Sequence, residues 1–253
     1  RFNSIVLRDY SSAGEYLTFP GMARSFTPRP HQRAAVARMI AEPACGLFHE
    51  VGAGTTAEMV AGVMEMRRMG LIQKPMLVVP NHMLEQFSRE WLQIYPRARV
   101  LAASSQDLTA DRRRLFVARA AASDWDGIIL TQGAFARIRV DPATERDYIE
   151  QQVITLKAAY DSAKGEDRMS VKRIQKRLLQ AENKLKGLVD RARDPGITCE
   201  ATGVDYVVVD EMHMYKNLAT ESNIRDAAID GSERASDLHL KLESLRGRGR
   251  DRV

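Results

Sequence analysis

The chain has 253 residues, enough for one large domain or two small ones with a substantial core. Hydrophobic residues make up 44%, charged residues 28%, and the formal net charge is +5, which excludes a disordered chain and permits a nucleic-acid partner without requiring one. No apolar run approaches the ~18 residues of a membrane span, the N-terminal RFNSIVLRDY lacks the apolar centre of a secretion signal, and Cys45 and Cys199 make neither a disulfide framework nor a zinc spacing.

A reducing, cytoplasmic setting with no membrane partner is therefore expected. Of the 38 basic residues nine are Lys and the remainder Arg, a bias that phosphate contact or coding preference explains equally well.

Residues 1–27 are rich in turn formers and read as a lead-in. HQRAAVARMI (31–40) has helical spacing, and ACGLF (44–48) reads as a short buried strand entering a Gly-rich turn. Residues 56–69 form a helix stopped by Gly70. PMLVVP (75–80) is a second strand and residues 83–95 an amphipathic helix. A strand over 98–103, an Arg-rich helix over 108–122 and the strand GIILT (127–131) follow. Short apolar runs separated by helices predict a parallel sheet covered on both faces.

From 144 to 193 the pattern changes. Val171, Ile174, Leu178, Ala181, Leu185 and Leu188 repeat at heptad spacing, and Val153, Leu156 and Tyr160 offer a facing stripe. With KGED (164–167) as its turn, this stretch reads as an inserted helical hairpin. Its charged face (Lys172, Arg173, Lys176, Arg177, Lys184, Lys186) suits plain solvation or contact with DNA or another lobe. The sheet resumes at DYVVVDEMH (205–213), where an apolar strand delivers two carboxylates to its C-terminal end.

Two constellations carry chemistry. In HEVGAGTT (49–56) a Gly-rich turn opens a helix, bringing backbone N–H groups to face an anion. Against the phosphate-loop pattern G-x-x-x-x-G-K-[ST], Gly54 and Thr56 fit, Thr55 stands at the Lys position and His49 at the first Gly. In VVVDEMH (207–213), one carboxylate suits Mg²⁺ and the next suits orientation of a water.

Together these segments resemble the superfamily-two helicases and translocases of the Swi/Snf-like branch. HEVGAGTT lies where that family has E-x-G-x-G-K-T, and DEMHMYKN matches D-E-x-H-x-x-K-N, including the branch-specific Lys216-Asn217. RPHQ (29–32) resembles the upstream adenine-reading segment. LVVPNHMLEQFSREW (77–91) and LTQGAF (130–135) resemble later family segments. A looser resemblance extends to lobes found beside adenine-methylating domains in phage and plasmid proteins.

The resemblance implies a RecA-like three-layer α/β sandwich over residues 28–253, with the hairpin of 144–193 inserted. It implies ATP and Mg²⁺ as cofactors, double-stranded DNA as partner, a second RecA-like lobe elsewhere in the same polypeptide and a DNA methylase domain as a further candidate neighbour. By that resemblance Gln32 reads adenine, and Gly52, Ala53, Gly54 and Thr55 give backbone N–H groups to phosphates. Thr56 and Asp210 hold Mg²⁺, Glu211 activates water, and His213 couples the site to the DNA side. Asn81, His82, Thr131 and Gln132 form the expected phosphate-tracking face.

Thr55 in place of Lys, and Met212 in place of a small residue, depart from the family. By the resemblance, the second lobe with its arginine fingers is expected outside this chain. Hydrolysis by this chain alone is accordingly expected to be negligible. Two alternatives remain open: a catalytically silent lobe binding DNA or protein, and an unrelated nucleotide-binding α/β domain. His239 reads as a surface histidine.

Overall fold

The computed structural model describes residues 8–50, 52–162, 168–189, 198–219 and 231–247. In chain order the helices and strands are α1 (Ser11–Glu15), α2 (Pro30–Ala41), α3 (Thr55–Arg68), β1 (Pro75–Val79), α4 (Leu84–Ile94), β2 (Val100–Ala103), α5 (Ala110–Ala122), β3 (Gly127–Thr131), α6 (Gln132–Phe135), α7 (Pro142–Ser162), α8 (Arg168–Val189), β4 (Tyr206–Val209) and α9 (Glu233–Arg246). Single 3-10 turns cover Asn81–Met83, Glu200–Thr202 and Met212–Tyr215.

The strands form one parallel sheet in the order β2-β3-β1-β4. Side chains alternate across it, because successive Cβ atoms on a strand point to opposite faces. Met76, Val78, Leu101, Ala103, Ile128, Leu130 and Val207 face one layer, built from Phe116, Val117 and Ala120 of α5 with Leu238 and Leu245 of α9. Leu77, Val79, Ile129 and Tyr206 face the other, built from Met59, Val60 and Val63 of α3 with Phe87, Trp91 and Ile94 of α4. The chain is thus a three-layer α/β fold. Among the described residues no helix is long and apolar enough to cross a membrane.

Local chemistry fixes several element ends. Pro30 opens α2, where its missing N–H costs nothing, and the Gln32 side-chain oxygen accepts the Arg29 N–H at 2.9 Å. The Thr131 hydroxyl caps α6 by accepting from Ala134 N at 3.1 Å, and Ser232 caps α9 in the same way. Before β1 and β4, the Asp205 carboxylate accepts the N–H groups of Gln73 and Lys74, each at 2.7 Å, and so ties the two strand entries together.

One sequence expectation needs correction. Residues 44–48 do not form a strand: they pair with no strand among the described residues, and Phe48 is 96% exposed. A strand needs a neighbour for its N–H and C=O groups. β4 is an end strand of the sheet, and 44–48 makes no ladder with it or with any other described strand. The described part of the expected lead-in packs on the lobe. Phe19 is buried against Val36 and Ala61, with the Arg33 guanidinium 5.2 Å above its ring, and Ala23 N donates to Ile94 O at 2.8 Å.

The expected hairpin helices appear as α7 and α8. Leu156 and Ile174 are buried with Ala159, Tyr160, Val171, Leu178 and Ala181 around them, and Lys157 Nζ lies 3.2 Å from Glu182 Oε1. The expected turn at 164–167 lies outside the described residues. At the base of the insertion Arg139 bridges Thr198, and Cys199 N donates to Arg139 O at 2.7 Å. Because the hairpin seam is a separate cluster, Ile174→Asp should loosen α7 and α8 to proteolysis. The unfolding midpoint of the remaining lobe should move by no more than a few degrees, equivalent to ~1 kcal/mol or less. Collapse of the whole fold in a circular-dichroism melt would contradict that.

Candidate nucleotide-binding site

The Gly-rich loop takes its shape from two glycines. Gly52 has φ +88° and Gly54 has φ +87°, a left-handed region where a Cβ is strained. Gly54 is the N-cap of α3, so the first free N–H groups of that helix belong to the Thr55–Thr56 turn. A Cβ on Gly54 would also lie 2.5 Å from Gln32 Nε2, whereas one on Gly52 would meet open space.

Helix α2 holds the loop from one side. Gln32 is 6% exposed, and its Nε2 donates to Ala53 O at 3.1 Å and to Gly54 O at 3.4 Å. His31 Nε2 lies 3.0 Å from Ala53 O. Gln32 thus spends its amide on the cap of α2 and on the loop carbonyls, a contact the motif alone did not reveal.

Sequence reasoning also passed over Glu58. It sits in the first turn of α3, fully buried, with Oε1 at 2.9 Å from His49 Nδ1 and 3.9 Å from His31 Nε2. Burial pushes the Glu58 carboxyl above its ordinary range, while the two imidazoles oppose the shift. The clue in the sequence was a lone carboxylate in TTAEMVAGV, a run whose other residues suit a helix packed on nearly every side.

The acidic box follows β4. Asp210 N donates to Val78 O at 2.8 Å, extending the ladder with β1 past the last assigned residue of β4. The Asp210 carboxylate accepts the Glu211 N–H at 3.0 Å, and burial raises its pKa above the usual carboxylate range. Glu211 has φ +54°, a left-handed turn that ends the strand and leaves the side chain exposed. Its Oε2 meets His213 Nδ1 at 2.9 Å, which puts two of the three expected catalytic side chains, Glu211 and His213 but not Asp210, in direct contact. Met212 and Met214 are 53% and 45% exposed on this turn, while Tyr215 is buried and anchors it.

The loop and the box are linked through the sheet. α3 packs on the face that carries Tyr206 and Val208 of β4, the same strand that delivers Asp210. The expected DNA-side residues gather at the C-terminal ends of β1 and β3. Asn81 Oδ1 accepts Gly133 N at 3.2 Å, and His82 is exposed beside it. Thr131 is 2% exposed and committed to capping α6. Gln132 Nε2 is buried with no hydrogen-bond partner among the described residues. His239, expected as a surface histidine, has Nδ1 2.8 Å from Tyr148 Oη.

The family described as a probable helicase domain matches residues 39–251. Among solved structures, the SWI2/SNF2 ATPase core of Sulfolobus solfataricus in complex with dsDNA is similar to this chain at 18% identity and a TM-score of 0.38; the match covers 48% of this chain and 24% of that one. No curated protein matches.

Proposed function

Because the chain belongs to the family of probable helicase domains, we propose that it is the first RecA-like lobe of a Swi/Snf-like translocase that binds ATP with Mg²⁺ and acts on double-stranded DNA. The observation that carries this reading is the loop itself. Two left-handed glycines open α3 and leave helix N-terminal N–H groups for an anion, and Gln32 braces the loop from behind. The acidic box on β4 supports it as the second half of a nucleotide site.

The residues fit ATP and Mg²⁺ in part. Gly52, Gly54 and Thr55 would offer backbone donors, whereas the Ala53 N–H is already given to Glu50 O at 3.1 Å. Gln32, on α2 beside the loop, is the adenine-side residue, with its amide committed to Arg29 N and the carbonyls of Ala53 and Gly54. Thr56 and Asp210 would hold the Mg²⁺, which supplies positive charge to the transferring phosphoryl group. Glu211 is the group to orient and deprotonate a water, and its contact with His213 fixes which way the carboxylate points. Thr55 brings no cation to the phosphates. Charge stabilisation matters most at the transition state, so this departure weakens hydrolysis more than binding.

Asn81, His82 and Gln132 are the side chains proposed to follow the DNA backbone, with Thr131 shaping that edge through its cap. Thr55 favours one further reading, a lobe that binds DNA or protein and never turns over ATP. The DNA half is tested by anisotropy of a labelled duplex over a salt series. A face that neutralises about four phosphates should lose roughly 10²-fold in affinity between ~50 and ~200 mM salt, whatever the sequence. Affinity that ignores salt, or that follows one sequence, would contradict the reading.

A further inference from the structure

His49 and Glu58 stand on opposite sides of the Gly-rich loop, one before it and one in the first turn of α3. Their side chains meet at 2.9 Å and so close the loop at its base. Glu58 is 0% exposed, and neither Oε1 nor Oε2 has a hydrogen bond of good geometry among the described residues, so the contact with His49 is the closest polar approach that the carboxylate receives. Its helix neighbours Ala57, Met59, Val60 and Ala61 are all buried apolar residues. A carboxylate in such surroundings needs an opposing charge or a donor. The second imidazole, His31, touches the His49 ring edge-on at a centroid distance of 5.9 Å and reaches Ala53 O at the loop crest.

Among the described residues no group of three or more His, Cys, Asp or Glu side chains could hold a metal ion, so His31, His49 and Glu58 do not form a metal centre. Their position suggests another role. Glu58 lies under the helix N-terminus that is to receive phosphates, and unopposed negative charge there would repel them through a poorly screening interior.

We propose that His49 is a positioning residue that clasps the phosphate loop: it meets the buried Glu58 carboxylate and holds the loop in its anion-accepting shape before any ligand arrives. The proposal rests on reading this loop as the phosphate site. The clasp compensates Glu58 and supplies no new contact to the phosphates, so it does not replace the absent Lys. Its expected signature is rescue. Removing His49 orphans Glu58, and replacing both side chains together leaves no buried carboxylate to compensate.

The test compares the parent chain, His49→Ala, Glu58→Gln and the double variant. The readouts are hydrogen exchange of the loop amides without ligand and titration with ATP and Mg²⁺. His49→Ala should exchange about tenfold faster at the loop and bind about tenfold more weakly, with the double variant within about threefold of the parent on both counts. If His49→Ala does not fold, His49→Gln takes its place with the same expected order. Loop exchange unchanged in the single variant, or a double variant as fast as the single one, overturns the clasp. A parent that binds ATP while His49→Ala matches it in exchange and affinity leaves the nucleotide site standing and removes the clasp. A parent that binds no ATP, with exchange still raised by His49→Ala and restored in the double variant, keeps the clasp and removes the nucleotide reading.

Discussion

Thr55→Lys is expected to raise DNA-stimulated phosphate release at least tenfold, when measured in a polypeptide that carries both RecA-like lobes. Thr55 is the first residue of α3, directly after the left-handed Gly54. The backbone there supplies partial positive charge, roughly half an elementary charge at a helix N-terminus. A Lys at this position would add a full charge that reaches the β and γ phosphates. A tenfold gain corresponds to ~1.4 kcal/mol at the transition state, a modest demand on one cation in a water-poor site. ATP affinity should change less than turnover. A Thr55 protein that already hydrolyses ATP as fast as its Lys variant would show that the loop is misassigned or that another cation has taken the role.

The largest expected loss of stability comes from the layer beneath that loop. Trp91→Ala should destabilise the fold by about 3–5 kcal/mol, the usual cost of truncating a buried aromatic. Trp91 is 0% exposed, edge-on to Phe87 at 6.4 Å. Gly127, which opens β3, is matched to it: a Cβ there would lie 2.1 Å from the tip of the Trp91 ring. The indole Nε1 has no hydrogen-bond partner among the described residues, so the loss is one of packing. Trp91→Phe should therefore recover a good part of it. Urea unfolding of the three proteins checks this, and a Trp91→Ala cost below ~1 kcal/mol would mean the α3–α4 layer is not packed as described.

The strands β1 and β3 were readable because they are buried on both faces, which leaves a continuous apolar run between polar turns. The hairpin was readable for the opposite reason: its seam is local, so Ile174, Leu178 and Ala181 declare it within one helix. Residues 44–48 misled because apolar content signals a strand only if a neighbour pairs with it. Phe19 was missed because its burial depends on Val36 and Ala61, far along the chain.

The candidate site divides in the same way. The glycines and the acidic box announce themselves through residue type and spacing. The brace from Gln32 to Ala53 O and the pairing of His49 with Glu58 are contacts between separate elements, which spacing cannot express. A carboxylate written into a helix looks solvated until the fold buries it.

Whether this loop accepts the phosphates of a nucleotide is decided by one comparison. The parent chain and Gly54→Ala are each titrated with a fluorescent ATP analogue in the presence of Mg²⁺, with thermal unfolding recorded alongside. Gly54 has φ +87°, and an added methyl would press on Gln32 Nε2 at 2.5 Å, so the loop must distort. The parent should bind saturably and the variant at least tenfold more weakly, while helix α3 and the sheet still unfold cooperatively. Equal binding by the two proteins, or no binding by a fully folded parent, would contradict that role for the loop.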